Sequence, residues 1–474
     1  MRFPASTLLS EQTLRRALGI SALSLAAAAA SAQGNSPYSR YGLGDLAPGT
    51  HISNRAMGGI SAGDADYTHI NFSNPASYSQ FMGVPQARNK NRLSYGRVLF
   101  DVGANIDQKT LREPGRPDKF SSSEINFSYI QVGIPLRRNW GLVFGIRPMS
   151  RVSYMIQRKE RLPNGDSVFT EFSGSGGAYL PSIGMGKAFG GSKAGSSIFS
   201  IGANMGYLFG NRESNSERYF NNDSVAYYQA LYRSNSSFGK LFFNFGAQYF
   251  IPIGAAKDSL RAAKGDKPMN RFLRLGVSGN MRQSLKGSQD VTVGTFTFDP
   301  NSALTDTVLS RKDQEGTVVY PSSVTAGFLT GGGTSNGGFW TAGADVVFTQ
   351  WSAFRYFGSA DAVTNNVLFR AGGEFIPDQY RIGFLRNTRY RAGFAVGKDY
   401  VTAGGELPFW SATAGFGIQL GHRNPQYRNQ VSMVNLAFEY LNRGNNSNTL
   451  KENNFRISIG LTLSDSWFVK RRYD

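Results

Sequence analysis

Phe455-Arg-Ile-Ser-Ile-Gly-Leu-Thr-Leu463 places Phe455, Ile457, Ile459, Leu461 and Leu463 on one face of an extended chain. Arg456, Ser458, Gly460 and Thr462 fall on the other. Side chains alternate faces along a strand, so an apolar/polar period of two marks a strand with one wet and one apolar side. The pattern recurs at Val434 to Tyr440, at Trp340 to Phe348, at Trp140 to Ile146 and at Leu273 to Val277. Convincing amphipathic helices are absent beyond the first 32 residues.

Alternation alone also fits a soluble sandwich, and three further features decide against it. The candidate strands are often ten residues or more, close to the 9–11 that a tilted membrane strand needs. Glycine is high, 56 of 474 residues, and aromatics make up 13%, as expected for close-packed barrel strands with aromatic girdles. The amino terminus carries an export signal. Arg2, Arg15 and Arg16 precede the uncharged run Leu18 to Ala30, and Ala30-Ser31-Ala32 supplies small residues for cleavage before Gln33. The chain is therefore expected to be all-β, an antiparallel transmembrane β-barrel of the bacterial outer membrane. Its expected parts are a signal peptide at 1–32, a distinct N-terminal segment at 33–90 and the barrel at 91–474.

Composition narrows function. There are no cysteines, which excludes disulfide scaffolds, thiolate metal sites and thiol nucleophiles. The three histidines, His51, His69 and His422, lack a supporting motif. No catalytic set, metal site or cofactor is expected, and turn hydrogen bonding is the expected use of His51 and His69. No run of about 20 apolar residues lies in the body of the chain, which excludes a helical membrane protein. The net charge is +19, but the basic residues are dispersed and no nucleic-acid motif accompanies them. Anionic surfaces, such as lipid and lipopolysaccharide phosphates, suit this charge better.

The first strands are expected at about 92–106, 122–136 and 139–156. A long polar stretch, Asp107 to Ser121, separates the first two, and Arg137-Arg138 separates the second and third. About 14 to 18 such runs are visible. Gln33 to about Arg88 alternates weakly yet holds Tyr38, Tyr41, Met57, Tyr67, Phe72, Tyr78 and Phe81. It is expected either as a plug in the lumen or as a periplasmic extension.

Asn74-Pro75-Ala76, within Ile70 to Tyr78, resembles the NPA motif of the FadL/TodX outer-membrane transporters. Ala56-Met57-Gly58-Gly59 is similar to the same family's N-terminal hatch. Ser173 to Gly177, Tyr320-Pro321-Ser322-Ser323, Gln350-Trp351-Ser352-Ala353-Phe354 and Arg389 to Phe394 continue the resemblance in family order. So do Phe438-Glu439-Tyr440 and the closing Trp467-Phe468 with Lys470-Arg471-Arg472. The resemblance implies a barrel of about 14 strands plugged by a hatch. It also implies passive uptake of hydrophobic or amphiphilic small molecules, classically long-chain fatty acids, and a kinked third strand that opens the wall sideways.

Gly145 and Pro148 lie on the third candidate strand. They mark either such a gate or a strand end near the rim, since proline cannot donate to the ladder. Asn74, Pro75 and Ala76 are expected to hold the hatch turn. Arg147, Arg151, Arg389 and Arg391 are the candidate cations for a ligand carboxylate. The alternative is that they pair with lumen acids such as Asp345 or Glu374, or touch lipid headgroups. A second function stays open: a FadL-like barrel turned to protein–protein work, as a secretion-system shuttle or an assembly anchor. A continuous apolar path would favour uptake. A polar or blocked lumen with a large outer surface would favour the second.

Overall fold

The computed structural model describes residues 35–86, 93–163, 166–191, 195–221, 227–255, 258–259, 269–296, 305–379, 383–402, 404–421 and 431–467. The expected signal peptide, His422 and the basic run Lys470 to Arg472 lie outside the described residues.

Fourteen antiparallel strands close into one barrel. They are β1 (Leu93–Arg112), β2 (Lys119–Arg137), β3 (Trp140–Arg161), β4 (Ser167–Gly190), β5 (Ile198–Asn221) and β6 (Gln229–Ile253). β7 has two parts, Arg271–Asn280 and Gln283–Phe296, and so has β8, Asp306–Tyr320 and Ser323–Gly333. The circuit continues with β9 (Phe339–Thr349), β10 (Asn366–Ile376), β11 (Arg389–Lys398), β12 (Pro408–Gly421), β13 (Val431–Arg443) and β14 (Lys451–Trp467). β14 pairs back onto β1 from Lys451↔Arg112 to Trp467↔Gly96. Closure satisfies the backbone hydrogen bonds that a bilayer cannot.

The period-two pattern becomes lipid and lumen faces. On β6, Leu241, Phe243 and Phe245 face outward, and the intervening Phe242 and Asn244 are buried. On β14, Phe455, Ile459 and Leu463 face outward, while Asn454 and Ser458 are buried inside. The first strands run longer than the sequence suggests. Most of Asp107 to Ser121 is strand, and only residues 113–118 connect β1 to β2. Its polar side chains look like loop in sequence because they meet other polar groups inside the lumen: Asp107 and Lys109 are both buried in ion pairs.

Wall height is uneven. β3 to β6 have 22, 24, 24 and 25 residues, whereas β9 to β11 have 11, 11 and 10. About ten residues suffice to cross the bilayer. One side of the barrel, β3 through β8, therefore stands taller than the other. β7 breaks at Met281-Arg282 and β8 at Pro321-Ser322. β9 pairs with β8 only as far as Ser323↔Thr349. Outward of the breaks, β7 continues with β6 and β8 as a raised sheet.

The ladder between β2 and β3 is the second irregularity. It runs only from Arg137↔Trp140 to Ile130↔Ile146. β3 then bulges between Pro148 and Ser150 and continues with β4 as its one neighbour in the barrel wall. A seam is left in the wall between the outer halves of β2 and β3.

Candidate functional site: hatch, seam and lumen

Residues 35–82 fold inside the barrel, and the glycines of the wall explain how the hatch backbone comes so close. A Cβ at Gly276 would lie 1.8 Å from Ala62 O, one at Gly141 2.0 Å from Tyr78 O, and one at Gly393 2.3 Å from Gly58 N. Only glycine admits main chain at these separations. The high glycine count thus reflects a lumen filled by polypeptide.

Asn74 caps the short turn Pro75–Gln80, its Oδ1 accepting from Ala76 N at 3.2 Å. Its Nδ2 donates to Ala62 O at 2.8 Å, and to Val277 O and Ala247 O on β7 and β6. Pro75 and Ala76 are buried against Gly202. Pro75 fixes φ at the first position of the turn and forgoes an N–H that would lack a partner there.

The hatch is tied to the wall by charge. Arg389 donates to Asp66 of the hatch at 2.6 Å and to Glu374 at 2.9 Å. Arg391 donates to Glu374 at 2.7 Å and to Asn435, which also accepts from Ser53 of the hatch. Both arginines face inward and are engaged by lumen groups. Arg55 reaches from the hatch to Asn105 at 2.7 Å and Ser128 at 2.6 Å, and its Nε donates to Thr50 O. Asp345 accepts from Ser61 N and Ala62 N.

His51 and His69 stack with ring centroids 4.5 Å apart. His51 Nδ1 accepts from Ser53 N at 3.0 Å, and its Nε2 lies 2.8 Å from Asp101 of β1. His69 Nε2 lies 2.9 Å from Asp64, which also accepts from Asn54. Burial pulls the His51 imidazole down to about 4, against the opposing pull of Asp101. Burial disfavours charge on His69 too, but Asp64 beside it outweighs that and raises it above the ordinary value. Burial would raise Asp64 and Asp66, yet His69 and Arg389 respectively hold them below the usual carboxylate range. The hatch therefore holds one neutral and one charge-prone imidazole face to face.

The seam is occupied. Asp45–Leu46 pairs with Arg151 and Ser150 of β3, and Ala47 N donates to Met149 O. Ser36 N donates to Ser153 O, Ser153 N to Ser39 Oγ, and Met155 N to Asn35 Oδ1. Asn35 N reaches Ser122 Oγ on β2 at 3.4 Å. Residues 35–47 thus stand in for the missing neighbour of β3. Charge fastens this segment. Asp45 meets Lys109 at 2.7 Å and Arg443 at 2.9 Å, and Ser36 Oγ donates to Glu452 at 2.7 Å. Arg151 reaches across the seam to Glu124 at 3.1 Å. Gly44, at φ 98°, leaves no room for a Cβ beside Arg151 O. Gly145 and Pro148 flank the point where the ladder ends, and Arg147 lies there with its Nη1 on Gly49 O at 3.2 Å and its head over Phe72.

Outward of the hatch, an apolar cluster crosses the lumen. Tyr38 and Leu43 of the N-terminal segment pack with Leu180, Leu208, Phe242, Leu285 and Val318 from the tall wall. Trp351 and Phe354 from the loop after β9, and Tyr400, Val401 and Leu407 from the loop after β11, complete it. Trp351 and Tyr400 stack at 4.2 Å. Between this cluster and the hatch lies a cavity of about 420 Å³ lined by charged, hydroxyl and amide side chains together with apolar ones such as Phe127, Phe242, Val347, Trp351 and Phe409.

Sequence reasoning pointed to the hatch turn, the proline break and the inward arginines. It missed the partners of His51 and His69, the seam filler and the Asp45–Lys109–Arg443 cluster. Apart from Asp64, five residues before His69, those pairings join residues far apart in the chain, and nothing local signals them.

A family model described as BamG matches residues 14–474. No curated protein sequence matches the chain. Among solved structures, the Pseudomonas putida toluene transporter TodX superposes with a TM-score of 0.49 at 13% identity, covering 89% of this chain and 99% of that one. A Pseudomonas aeruginosa FadL homologue gives 0.45 at 12% identity, covering 91% and 100%. The Ralstonia pickettii toluene transporter TbuX gives 0.46 at 13%, covering 89% and 98%.

Proposed function

The chain belongs to the BamG family, and we propose that it serves protein–protein work in the outer membrane, as a closed barrel anchoring an assembly. The observation that carries this reading is the packed apolar cluster across the outer lumen, from Tyr38 to Leu407. Below it the hatch is tied down on several sides. A hydrophobic compound entering from outside meets first a filled core and then a chamber in which charged and apolar side chains are mixed. Burying hydrocarbon against unpaired polar groups is unfavourable. The raised sheet of β3 to β8 offers the surface such a role needs. No catalytic step is assigned to the chain.

A second reading is uptake of a hydrophobic small molecule with sideways release. The observation that favours it is the seam beside Pro148, where the β2–β3 ladder stops. In that reading residues 35–47 must leave the seam.

The two readings separate in reconstituted vesicles. The purified barrel is inserted into liposomes and the entry of radiolabelled oleate and of toluene is followed. The assembly reading expects rates equal to protein-free vesicles, in wild type and in an Asn35→Cys/Ser122→Cys variant whose disulfide pins the seam. Facilitated entry that the disulfide abolishes would establish the uptake reading instead.

A further inference from the structure

The connection from β10 to β11 carries large apolar side chains where a turn needs none. In Gly383-Phe-Leu-Arg-Asn-Thr388, the single helical turn Phe384–Asn387 leaves Phe384 71% and Leu385 68% exposed. Two such neighbours standing in water forgo the gain that burial would bring. The turn is not slack. Arg386 N and Asn387 N donate to Gly383 O, Gly383 N donates to Asn387 Oδ1, and Thr388 Oγ1 donates to Phe384 O. Asp378 N donates to Arg386 O, and Gln379 N to Gly337 O in the neighbouring connection. These bonds fix the shape of the turn and pair main-chain groups that an apolar surrounding would leave unpaired.

Tyr390 sets where the turn lies. Arg389 and Arg391 face inward, so Tyr390 between them faces outward. Its hydroxyl donates to Leu385 O at 3.1 Å, and its ring meets Phe416 edge-on at 5.8 Å. In the ladder Tyr390 stands opposite Phe375 and Phe416, and Phe375 stands opposite Trp340. Trp340, Phe375 and Phe416 are exposed. The four rings form one row across the outside of β9 to β12, at the end of the barrel away from the raised sheet. Such aromatic rows mark the membrane–water interface of a barrel. The helical turn is joined to this girdle on its lipid side. Arg386 is exposed as well, and a guanidinium at this height suits lipid phosphate. The wall is at its shortest here, with 11, 11 and 10 residues in β9, β10 and β11. An apolar extension of the wall reduces the mismatch with the bilayer where the strands are least tall.

We infer that Phe384 and Leu385 form a membrane foot, a preformed turn inserted into the inner-leaflet phospholipid of the outer membrane with Arg386 at the phosphates. The occupant is lipid rather than a periplasmic protein because Tyr390 makes the turn continuous with the lipid-facing girdle. The foot does not depend on which reading of the function holds.

The chain has no cysteine, so one nitroxide label can be placed on the full-length barrel through Phe384→Cys or Leu385→Cys. The controls are Phe245→Cys on the lipid-facing wall and Val308→Cys on the raised sheet. Folding of each variant is judged by heat-modifiable gel mobility, and either foot position carries the test if the other fails to fold. The barrels are inserted into vesicles of phosphatidylethanolamine and phosphatidylglycerol. Power saturation then compares collision with oxygen, which enters lipid, and with a water-soluble nickel chelate. The measurement is repeated in isolated outer membranes.

A foot in lipid predicts oxygen above nickel at 384 and 385 in both preparations, shifted from the water-like balance at 308 towards that at 245. Nickel above oxygen at the foot positions in the vesicles would overturn the inference. So would a label that in the isolated membranes is shielded from both reagents, because a protein would then cover the turn.

Discussion

Acidification should loosen the hatch through His51. In the folded protein this imidazole is neutral: its Nδ1 accepts from Ser53 N, and burial brings it down to about 4. In the unfolded hatch its value returns to about 6.5. Above pH 6.5 neither state binds the proton, and the group contributes nothing to pH dependence. As pH falls from 6.5 towards 4, the unfolded hatch takes up a proton that the folded hatch refuses, and stability drops with it. The difference of about 2.5 units, at 1.36 kcal/mol each, amounts to about 3 kcal/mol, or roughly 300-fold in the opening equilibrium.

His69 acts in the opposite sense. Asp64 raises it, so its contribution is fully present below 6.5 and is lost as pH rises through its folded value. Asp64 and Asp66 lie below the usual carboxylate range, so their contribution is lost only at more acid pH. The interval between 6.5 and 4 therefore isolates His51. The assay is amide hydrogen exchange of residues 51–60, corrected for intrinsic rates, at several pH values in that interval. The wild type should show the 300-fold loss of protection, and His51→Asn, which keeps an acceptor for Ser53 N but cannot titrate, should show a flat profile. An equal slope in both proteins would refute the reasoning.

Other changes should act on the same fastening. Arg389→Gln leaves Asp66 and Glu374 facing each other without their cation, and should cost the hatch about 3–5 kcal/mol, read as faster exchange across residues 61–70. Gly276→Ala drives a methyl towards Ala62 O and should destabilise the barrel by about 1–3 kcal/mol, seen as a lower melting temperature. Asn74→Ala removes the turn cap and should cost about 1–2 kcal/mol, read as earlier proteolysis of the hatch in an otherwise intact barrel.

The wall was legible because a membrane barrel writes its two faces into the chain at period two, as at Phe455 to Leu463. The strand ends were less so. Asp107 and Lys109 read as loop because they are polar, and they are strand because polar groups of the lumen meet them. Pro148 was visible as a break in the third strand, but the segment that fills the seam was not. Its contacts with β3 arise from barrel closure, which no local pattern encodes. Arg389 and Arg391 could be placed on one inward face by spacing alone. Their engagement with Asp66 and Glu374 depends on which side chains the closed circuit brings opposite one another. His51 finds Asp101 fifty residues away, and neither carries a motif.

The central claim, a closed barrel that anchors a partner on its raised wall, is tested most directly by site-specific photocrosslinking in intact cells. A crosslinking residue replaces Phe169, Tyr232 or Val308, which are exposed near the outer ends of β4, β6 and β8, and a lipid-facing control replaces Phe245. The account predicts the same discrete protein adduct from the wall positions and none from the control. No adduct from any wall position, together with facilitated oleate or toluene entry into vesicles, would contradict it.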